Sequence, residues 1–128
     1  MRAIAVLITL LLINPQVNRN KYVSSNFKLE RNKPNEFILV VTLKPADGIY
    51  INSEPEPKVK FNDSLVEALE VKFDKTEKNY IDTRKPIIVK LKSKTKVLKS
   101  LKGELTYFYC SNSEGWCSKF VEKFEVKP

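Results

Sequence analysis

The chain has 128 residues, a length typical of one domain, and its 23 basic and 15 acidic side chains give a formal net charge of +8. It contains no histidine, which excludes Ser-His and Cys-His nucleophile pairs and histidine-ligated metal sites. Its two cysteines are too few for a four-thiolate zinc site.

The amino-terminal segment is typical of a secretory signal peptide. Met1-Arg2 is followed by eleven uncharged, mostly aliphatic residues, 3–13. A single cation before a short apolar run indicates export, and the run is shorter than the roughly 20 residues of a membrane-spanning helix. We therefore predict a signal peptide over residues 1–18 and a mature domain over residues 19–128, located in the periplasm or outside the cell. The alternative is a buried amino-terminal strand.

Alternation of apolar and polar residues predicts strands along most of the remaining chain. Residues 37–43 are apolar at nearly every position, which predicts a central strand buried on both faces. Pro45, Asp47 and Gly48 provide a turn after it. Further short strands are predicted, in chain order, over residues 49–51, 57–61, 87–91, 101–109 and 120–126.

Two places fit this alternation less simply. Residues 64–71 are the one stretch with the spacing of a helical turn or two, although part of it also alternates like a strand. Lys102-Gly103 suggests a kink or bulge within its strand. Six to nine short strands at this spacing predict an all-β fold, an immunoglobulin-like antiparallel β-sandwich, with a small barrel as the alternative.

Lysines recur at every second position near residue 90. Lys90, Lys92, Lys94 and Lys96 would lie on one face of a strand. Such a face could bind anions or nucleic acid, or it could be a solvated face that discourages edge-to-edge aggregation. Because no aromatic residues are interleaved with these lysines, we favour the solvated face and expect no nucleic-acid partner.

The two cysteines lie at the facing ends of two predicted strands, in a carboxy-terminal hairpin. Export and an even cysteine count predict one disulfide, Cys110–Cys117. Closing a loop of eight residues stabilises a fold by about 2.5 kcal/mol, against nearly 5 for a hundred-residue loop. The bond is therefore a modest staple, whereas its place at a hairpin tip would give an attacking thiolate access.

The same residues leave a structural and a redox role open. Nearby aromatic side chains could shield a reactive disulfide, namely Tyr107, Tyr109, Trp116 and Phe120. Against a redox role, the spacing is not the CXXC of thioredoxin-like folds, and no helix N-terminus is predicted that would favour a thiolate.

Three blocks of sequence, taken in order, resemble a known family. They are "DGIYINSEPEPKVKF" at residues 47–61, "KFDKTEKNYIDTRKPIIVKL" at residues 72–91 and "GELTYFYCSNSEGWCSKFVEKFEV" at residues 103–126. In the last block a tyrosine precedes the first cysteine and a Gly-aromatic pair precedes the second. The family is that of the amino-terminal, immunoglobulin-like periplasmic domains of the thiol:disulfide interchange protein DsbD, also called disulfide bond corrector domains.

This resemblance implies an exported electron relay without metal or organic cofactor, a thiol:disulfide oxidoreductase in the broad sense. It implies that Cys110 and Cys117 exchange disulfides with thioredoxin-like or disulfide-isomerase proteins through a mixed disulfide. A membrane electron donor is a further possible partner, and we expect a monomer. The residues predicted to cap or shield the pair are Phe73, the cap-loop aromatic, with Tyr50, Tyr109 and Trp116.

Some positions depart from the family's pattern. The cysteines are separated by six residues rather than five, Val71-Lys72 stand where acidic residues precede the cap aromatic, and Asn52 replaces a second tyrosine. Two other classes of function therefore stay open: a secreted immunoglobulin-like interaction module with a purely structural disulfide, and a basic anion-binding module.

Overall fold

The computed structural model describes residues 19–95 and 97–128, so the predicted signal peptide over residues 1–18 and Lys96 lie outside the described residues. Within these two ranges no helix forms, and hence none that could span a membrane. The eight strands are β1 (Val23–Lys33), β2 (Glu36–Pro45), β3 (Ile49–Ile51), β4 (Lys58–Phe61), β5 (Val66–Lys72), β6 (Ile87–Ser93), β7 (Leu101–Ser111) and β8 (Trp116–Val126).

The strands form two antiparallel sheets that pack face to face. Sheet A has the order β1-β2-β6-β5. In sheet B, β8 pairs along the whole of β7, while β3 and β4 follow one another along the other edge of β7. The fold is an immunoglobulin-like antiparallel β-sandwich with the cysteines in its carboxy-terminal hairpin, as predicted, and its strand pairings form two sheets rather than one closed barrel.

The hydrophobic core lies between the sheets and is built by every second residue of the central strands. The most deeply buried side chains include Leu39, Val89, Leu105 and Tyr107, each 0% exposed. Burying an aliphatic or aromatic side chain of this size stabilises the fold by about 1.5–3 kcal/mol. In β7 the odd-numbered residues are buried, so the even-numbered ones, Cys110 among them, lie on the outer face of sheet B, turned away from the core.

The helical interpretation of residues 64–71 is wrong, because residues 64 and 65 lie in a turn and Val66–Lys72 form β5. Val66 and Val71 both face the core although they are five residues apart. The pairing with β6 shifts between Ala68 and Glu70, which marks a β-bulge. The extra residue of this bulge changes the alternation, so that Val71 points to the core. A spacing of five residues fits neither regular strand alternation nor one face of a helix, and the bulge accounts for it.

The bulge expected at Lys102-Gly103 is also wrong, since β7 and β8 pair there without a shift in register. The glycine is instead required by a close approach. A Cβ atom at Gly103 would lie 2.6 Å from the carbonyl oxygen of Lys60 and 2.8 Å from the ring of Phe124. Gly103 thus lets β4 and the Phe124 ring pack directly against β7.

Candidate functional site

The disulfide lies at the turn end of the β7–β8 hairpin. Cys110 and Cys117 are direct cross-strand partners whose Cα atoms are 4.0 Å apart, and their sulfurs are bonded. Cys117 is exposed and Cys110 is partly exposed. The bond therefore faces solvent from the outer face of sheet B and does not join the two sheets through the core.

A short turn holds the two cysteines in this register. The backbone N–H of Gly115 donates to the carbonyl of Ser111 at 2.9 Å, and the Glu114 N–H donates to the Ser111 hydroxyl at 3.3 Å. Gly115 has a φ of +74°, a conformation that side-chain-bearing residues rarely adopt. The glycine closes the turn at the position that places Cys117 opposite Cys110.

Tyr50 lies on the same face as the disulfide. It is the cross-strand partner of Cys110 on β3 and is 39% exposed. Its ring stacks on Tyr80, with centroids 4.9 Å apart and planes 24° apart. The Tyr80 hydroxyl in turn lies 3.5 Å from Oδ1 of Asn112 in the hairpin turn. Sequence reasoning selected Tyr50 but missed Tyr80, although Tyr80 lies within the second block of the family resemblance.

The side-chain amide of Asn52 contacts the Cys110 sulfur. Asn52 Oδ1 is 3.3 Å from Cys110 Sγ, and the Asn52 backbone N–H donates to the Phe108 carbonyl at 2.8 Å. In the disulfide this sulfur carries no proton. After reduction, the Cys110 thiol can donate a hydrogen bond to Asn52 Oδ1. With the Asn52 amide rotated by about 180°, its NH2 group faces the sulfur and can donate an N–H to a Cys110 thiolate.

Tyr109 and Trp116 lie on the other side of sheet B from the sulfurs. Tyr109 is 6% exposed, and its ring meets Trp116 edge-on at a centroid distance of 5.8 Å. Tyr22 packs against both rings, at 5.1 Å from Trp116 and 6.1 Å from Tyr109. These three rings support the hairpin from its core-facing side, so the structure does not bring Tyr109 and Trp116 to the face where a partner would meet the disulfide.

Phe73 directly follows β5 in sheet A and packs, half-buried, against the hydrophobic core. The segment after it, residues 74–84, reaches sheet B: the Ile81 N–H donates to the Ile51 carbonyl at 2.9 Å, and Tyr80 bridges to Asn52. Through this segment the structure brings Tyr80 next to Tyr50. The role of Phe73 as a cap stays a prediction.

Charged side chains fix the end of this segment. Arg84 donates from Nε and Nη2 to the two carboxylate oxygens of Asp82 at 2.9 and 3.0 Å. These hydrogen bonds, with one from the Arg84 backbone N–H, lower the pKa of Asp82 to about 2. Lys85 pairs with Asp74 at 3.0 Å. The Lys85–Asp74 pair thus links the two ends of the segment that carries Tyr80.

One carboxyl group is buried between the sheets. Glu122 is 8% exposed, and the Ser25 hydroxyl donates to its Oε2, while Oε1 has no hydrogen-bond partner among the described residues. Burial raises the pKa of Glu122, and the Ser25 hydrogen bond and the charge of Arg19 oppose that shift. Glu122 faces the core and is thus separated from the disulfide by the sheet. In the described ranges no group of three or more cysteine and carboxylate side chains is arranged to hold a metal ion.

Of the four alternating lysines, Lys90 and Lys92 lie on the outer face of sheet A and are opposed by carboxylates, whereas Lys94 lies beyond the end of β6 and so does not continue the predicted strand face. Lys92 lies between Glu36 on β2 and Glu67 on β5, and Lys90 is opposite Glu70. Opposite charges across neighbouring strands stabilise a sheet by up to about 1 kcal/mol per pair. This arrangement favours the solvated-face interpretation of the lysine alternation.

The comparisons with known proteins concern the fold. No protein-family model matches this chain, and no curated protein matches it. The GAE domain of GGA2p from Saccharomyces cerevisiae is similar in structure, with a TM-score of 0.51 and 13% identity over 84% of this chain and 91% of that chain. This likeness shows the fold alone.

Two further solved structures are similar over most of the chain. The yeast GGA1 GAE domain, in a structure described as GAE domain–P21, has a TM-score of 0.48 and 12% identity, covering 84% of this chain and 95% of that one. The amino-terminal domain of Neisseria meningitidis DsbD, in the reduced form, has a TM-score of 0.47 and 18% identity, covering 90% and 92%. Neither TM-score is high enough to carry an argument about function.

Proposed function

We propose that this domain exchanges disulfides with thioredoxin-like proteins through the Cys110–Cys117 pair. The position of the disulfide carries the proposal: it lies on the outer face of sheet B with Cys117 exposed. Exchange needs a sulfur that an incoming thiolate can reach. A bond whose role is to stabilise the sandwich would gain more by joining distant strands. The resemblance of the three sequence blocks to the DsbD amino-terminal family supports the same function.

The exposure of the two cysteines supports the following order of bond changes. A partner thiolate attacks Sγ of Cys117, the more exposed cysteine. The Cys110–Cys117 bond breaks and Cys110 leaves with the electron pair as a thiolate. The second thiolate of the partner then attacks its own sulfur in the mixed disulfide and releases Cys117. The domain now holds two electrons as a dithiol, the partner is oxidised, and the reverse sequence passes the electrons on.

Asn52 is placed to assist the leaving sulfur. Its amide is 3.3 Å from Cys110 Sγ, and no corresponding contact is described for Cys117. An N–H donated to the developing thiolate stabilises its negative charge and so favours departure of Cys110. Asn52 therefore acts as a positioning residue for Cys110 and not as a redox group.

Aromatic residues would control access to the pair. Tyr50, stacked on Tyr80, borders Cys110 on the β3 side. From the family resemblance we further propose that Phe73 shields the disulfide until a partner displaces it. The same resemblance, with the signal-like residues 1–18, underlies our proposal that residues 19–128 act as an exported monomer that a membrane donor can supply with electrons.

Trapping of the mixed disulfide tests this function. In Cys110→Ala the exposed Cys117 remains without a resolving sulfur. Its thiolate should attack a thioredoxin-like protein whose one remaining active-site cysteine is activated as a 2-thiopyridyl disulfide, so that 2-thiopyridone leaves with the electron pair and the mixed disulfide accumulates. Cys117→Ala, which leaves only the less exposed sulfur, should trap at least tenfold less under the same conditions. Equal, slow trapping by both variants, at the rate of an unfolded control peptide, would instead support the structural-disulfide module.

A further inference from the structure

The outer face of sheet B carries more cations than anions. The charged side chains that the strands place on this face are five lysines and two glutamates: Lys58, Lys60, Lys102, Lys119 and Lys123, with Glu104 and Glu125. By strand alternation they share the face with the disulfide. A partner that reaches Cys117 therefore approaches a surface of positive charge.

The lysines surround a small apolar area next to the sulfurs. Along β8, Lys119 is the next residue on this face after Cys117, a step of about 7 Å, and its partner across the ladder is Phe108. One step further, Val121 pairs with Thr106, which is flanked by Lys58 on the other side. Phe108 and Val121 are both half-buried. The arrangement offers an apolar contact bordered by ammonium groups.

The acidic groups closest to the disulfide in sequence lie elsewhere. Glu114, in the hairpin turn, accepts a hydrogen bond from Trp116 Nε1 at 3.1 Å. Glu54 and Glu56 lie in the connection between β3 and β4, on the edge of β7 that is opposite β8. Across the ladders Glu104 lies opposite both Lys60 and Lys123, and Glu125 lies opposite Lys102. The positive charges of this face that no carboxylate opposes are therefore those of Lys58 and Lys119, with Lys119 the nearer to Cys117.

We propose that this lysine-bordered face selects thioredoxin-like partners that carry carboxylate side chains beside their reactive sulfur. Complementary charge raises the rate of productive encounter, and the effect decays over about 10 Å at 0.1 M salt, so charges next to the reacting sulfur act most strongly. The inference rests on the proposed function, since it concerns the partner of the same exchange reaction.

Two chemically matched peptides provide the probe. Both carry one cysteine activated as a 2-thiopyridyl disulfide, flanked in one peptide by two glutamates and in the other by two lysines. The Cys117 thiolate of the reduced domain attacks the peptide cysteine sulfur and 2-thiopyridone leaves with the electron pair. Cys110 then attacks Cys117, which releases the peptide thiol and restores the intramolecular disulfide. At 10 mM ionic strength we expect the glutamate peptide to react about tenfold faster than the lysine peptide, with little preference left at 0.5 M.

A pair of double variants with equal changes in net charge locates the effect. Lys58→Gln with Lys119→Gln, the two lysines of this face that no carboxylate opposes, should reduce the rate ratio of the two peptides by about fivefold. Lys90→Gln with Lys92→Gln, on the outer face of sheet A, should leave the ratio nearly unchanged. An equal reduction by both double variants, or no reduction by the first, would overturn the inference.

A neutral probe separates this inference from the proposed function. A third activated peptide, flanked by serines, reports exchange without charge. Fast reaction of this peptide combined with a loss of charge selectivity in the sheet B variant alone supports both proposals. Fast reaction without selectivity contradicts only the partner inference. Reaction no faster than that of a free cysteine peptide contradicts the exchange function itself, whatever the charge dependence.

Discussion

The outer faces of the two sheets carry similar numbers of lysines but differ in what opposes them. On sheet A the lysines meet carboxylates: Lys28 pairs with Glu30 at 3.2 Å and Lys72 with Glu70 at 3.4 Å, and Lys92 lies between two glutamates. On sheet B three lysines also face carboxylates, but Lys58 and Lys119 face none and border a half-buried apolar area beside the exposed disulfide. A strand's own alternation therefore does not show which of its lysines are balanced by carboxylates: Lys28 and Lys72 pair within their own strands, whereas the glutamates that face Lys92 lie on two neighbouring strands.

The largest expected effect is the loss of disulfide exchange, the chemistry that distinguishes the outer face of sheet B from that of sheet A. Cys110→Ala removes the resolving sulfur and should lower multiple-turnover exchange with a thioredoxin-like disulfide by at least a hundredfold. Turnover is measured by the fluorescence or thiol titre of the partner. Thr106→Ala, two rows from the disulfide on the same face, serves as the control and should retain turnover within twofold. Turnover by Cys110→Ala close to that of the native chain would contradict a two-cysteine mechanism.

A second comparison weighs the disulfide against the core. Replacing both cysteines by serine should reduce the free energy of unfolding by no more than about 2.5 kcal/mol, which is the entropic stabilisation expected from closing an eight-residue loop. Leu105→Ala, in the middle of the same strand and fully buried, should cost about 2–5 kcal/mol. Urea denaturation measures both. If loss of the disulfide cost more than loss of Leu105, the bond would be a structural element of the sandwich.

The contact between Asn52 and Cys110 predicts a moderate kinetic effect. Asn52→Ala should slow attack by a monothiol on the disulfide by about fivefold, because the departing Cys110 thiolate loses an amide donor worth about 1 kcal/mol. Stopped-flow measurement over pH 6–9 should show this deficit while the unfolding midpoint stays nearly unchanged. Asn26→Ala, on the outer strand β1 of sheet A, is the matched control. A deficit of equal size in the control would mean that the effect is not local to the sulfur.

The smallest effect concerns the buried carboxyl group between the sheets. Because the pKa of Glu122 is raised on folding, the native state binds its proton more tightly than the unfolded chain, so this group destabilises the fold fully only above its raised pKa. Glu122→Gln should therefore stabilise the protein by about 1 kcal/mol at pH 7, with the gain disappearing as the pH falls toward the ordinary value of 4.5. Thermal unfolding across this range measures it. Glu125→Gln, on the outer face of β8, should show no such pH-dependent gain; a gain of the same size there would contradict the role of burial.

The sequence predicted what depends on local alternation. β2, β6, β7 and β8 follow the apolar pattern closely, and the hairpin placed the two cysteines opposite each other. β1 was missed because Ser25 occupies one of its inward positions, where it donates to the buried Glu122. A hydrogen bond between two buried polar side chains on different sheets leaves no recognisable pattern in the sequence of either strand.

The surroundings of the disulfide were harder to predict because they depend on contacts between distant segments. Tyr80 reaches Tyr50 only because residues 74–84 leave sheet A and pair with the end of β3. Tyr109 and Trp116 are neighbours of the cysteines in sequence, yet the alternation of strand residues turns their rings to the opposite side. Closeness in sequence to the cysteines therefore does not place the Tyr109 and Trp116 rings beside the sulfurs. The contact of Asn52 with Cys110 had no local sequence signal.

The reduction potential of the Cys110–Cys117 pair tests the central claim most directly. It is measured by equilibrating the domain with dithiol buffers of known potential and quantifying free thiols. An exchanging pair must lie near the potentials of its thioredoxin-like partners, so we predict a value above about −300 mV. A value far below −300 mV would contradict the exchange function and assign the disulfide a structural role.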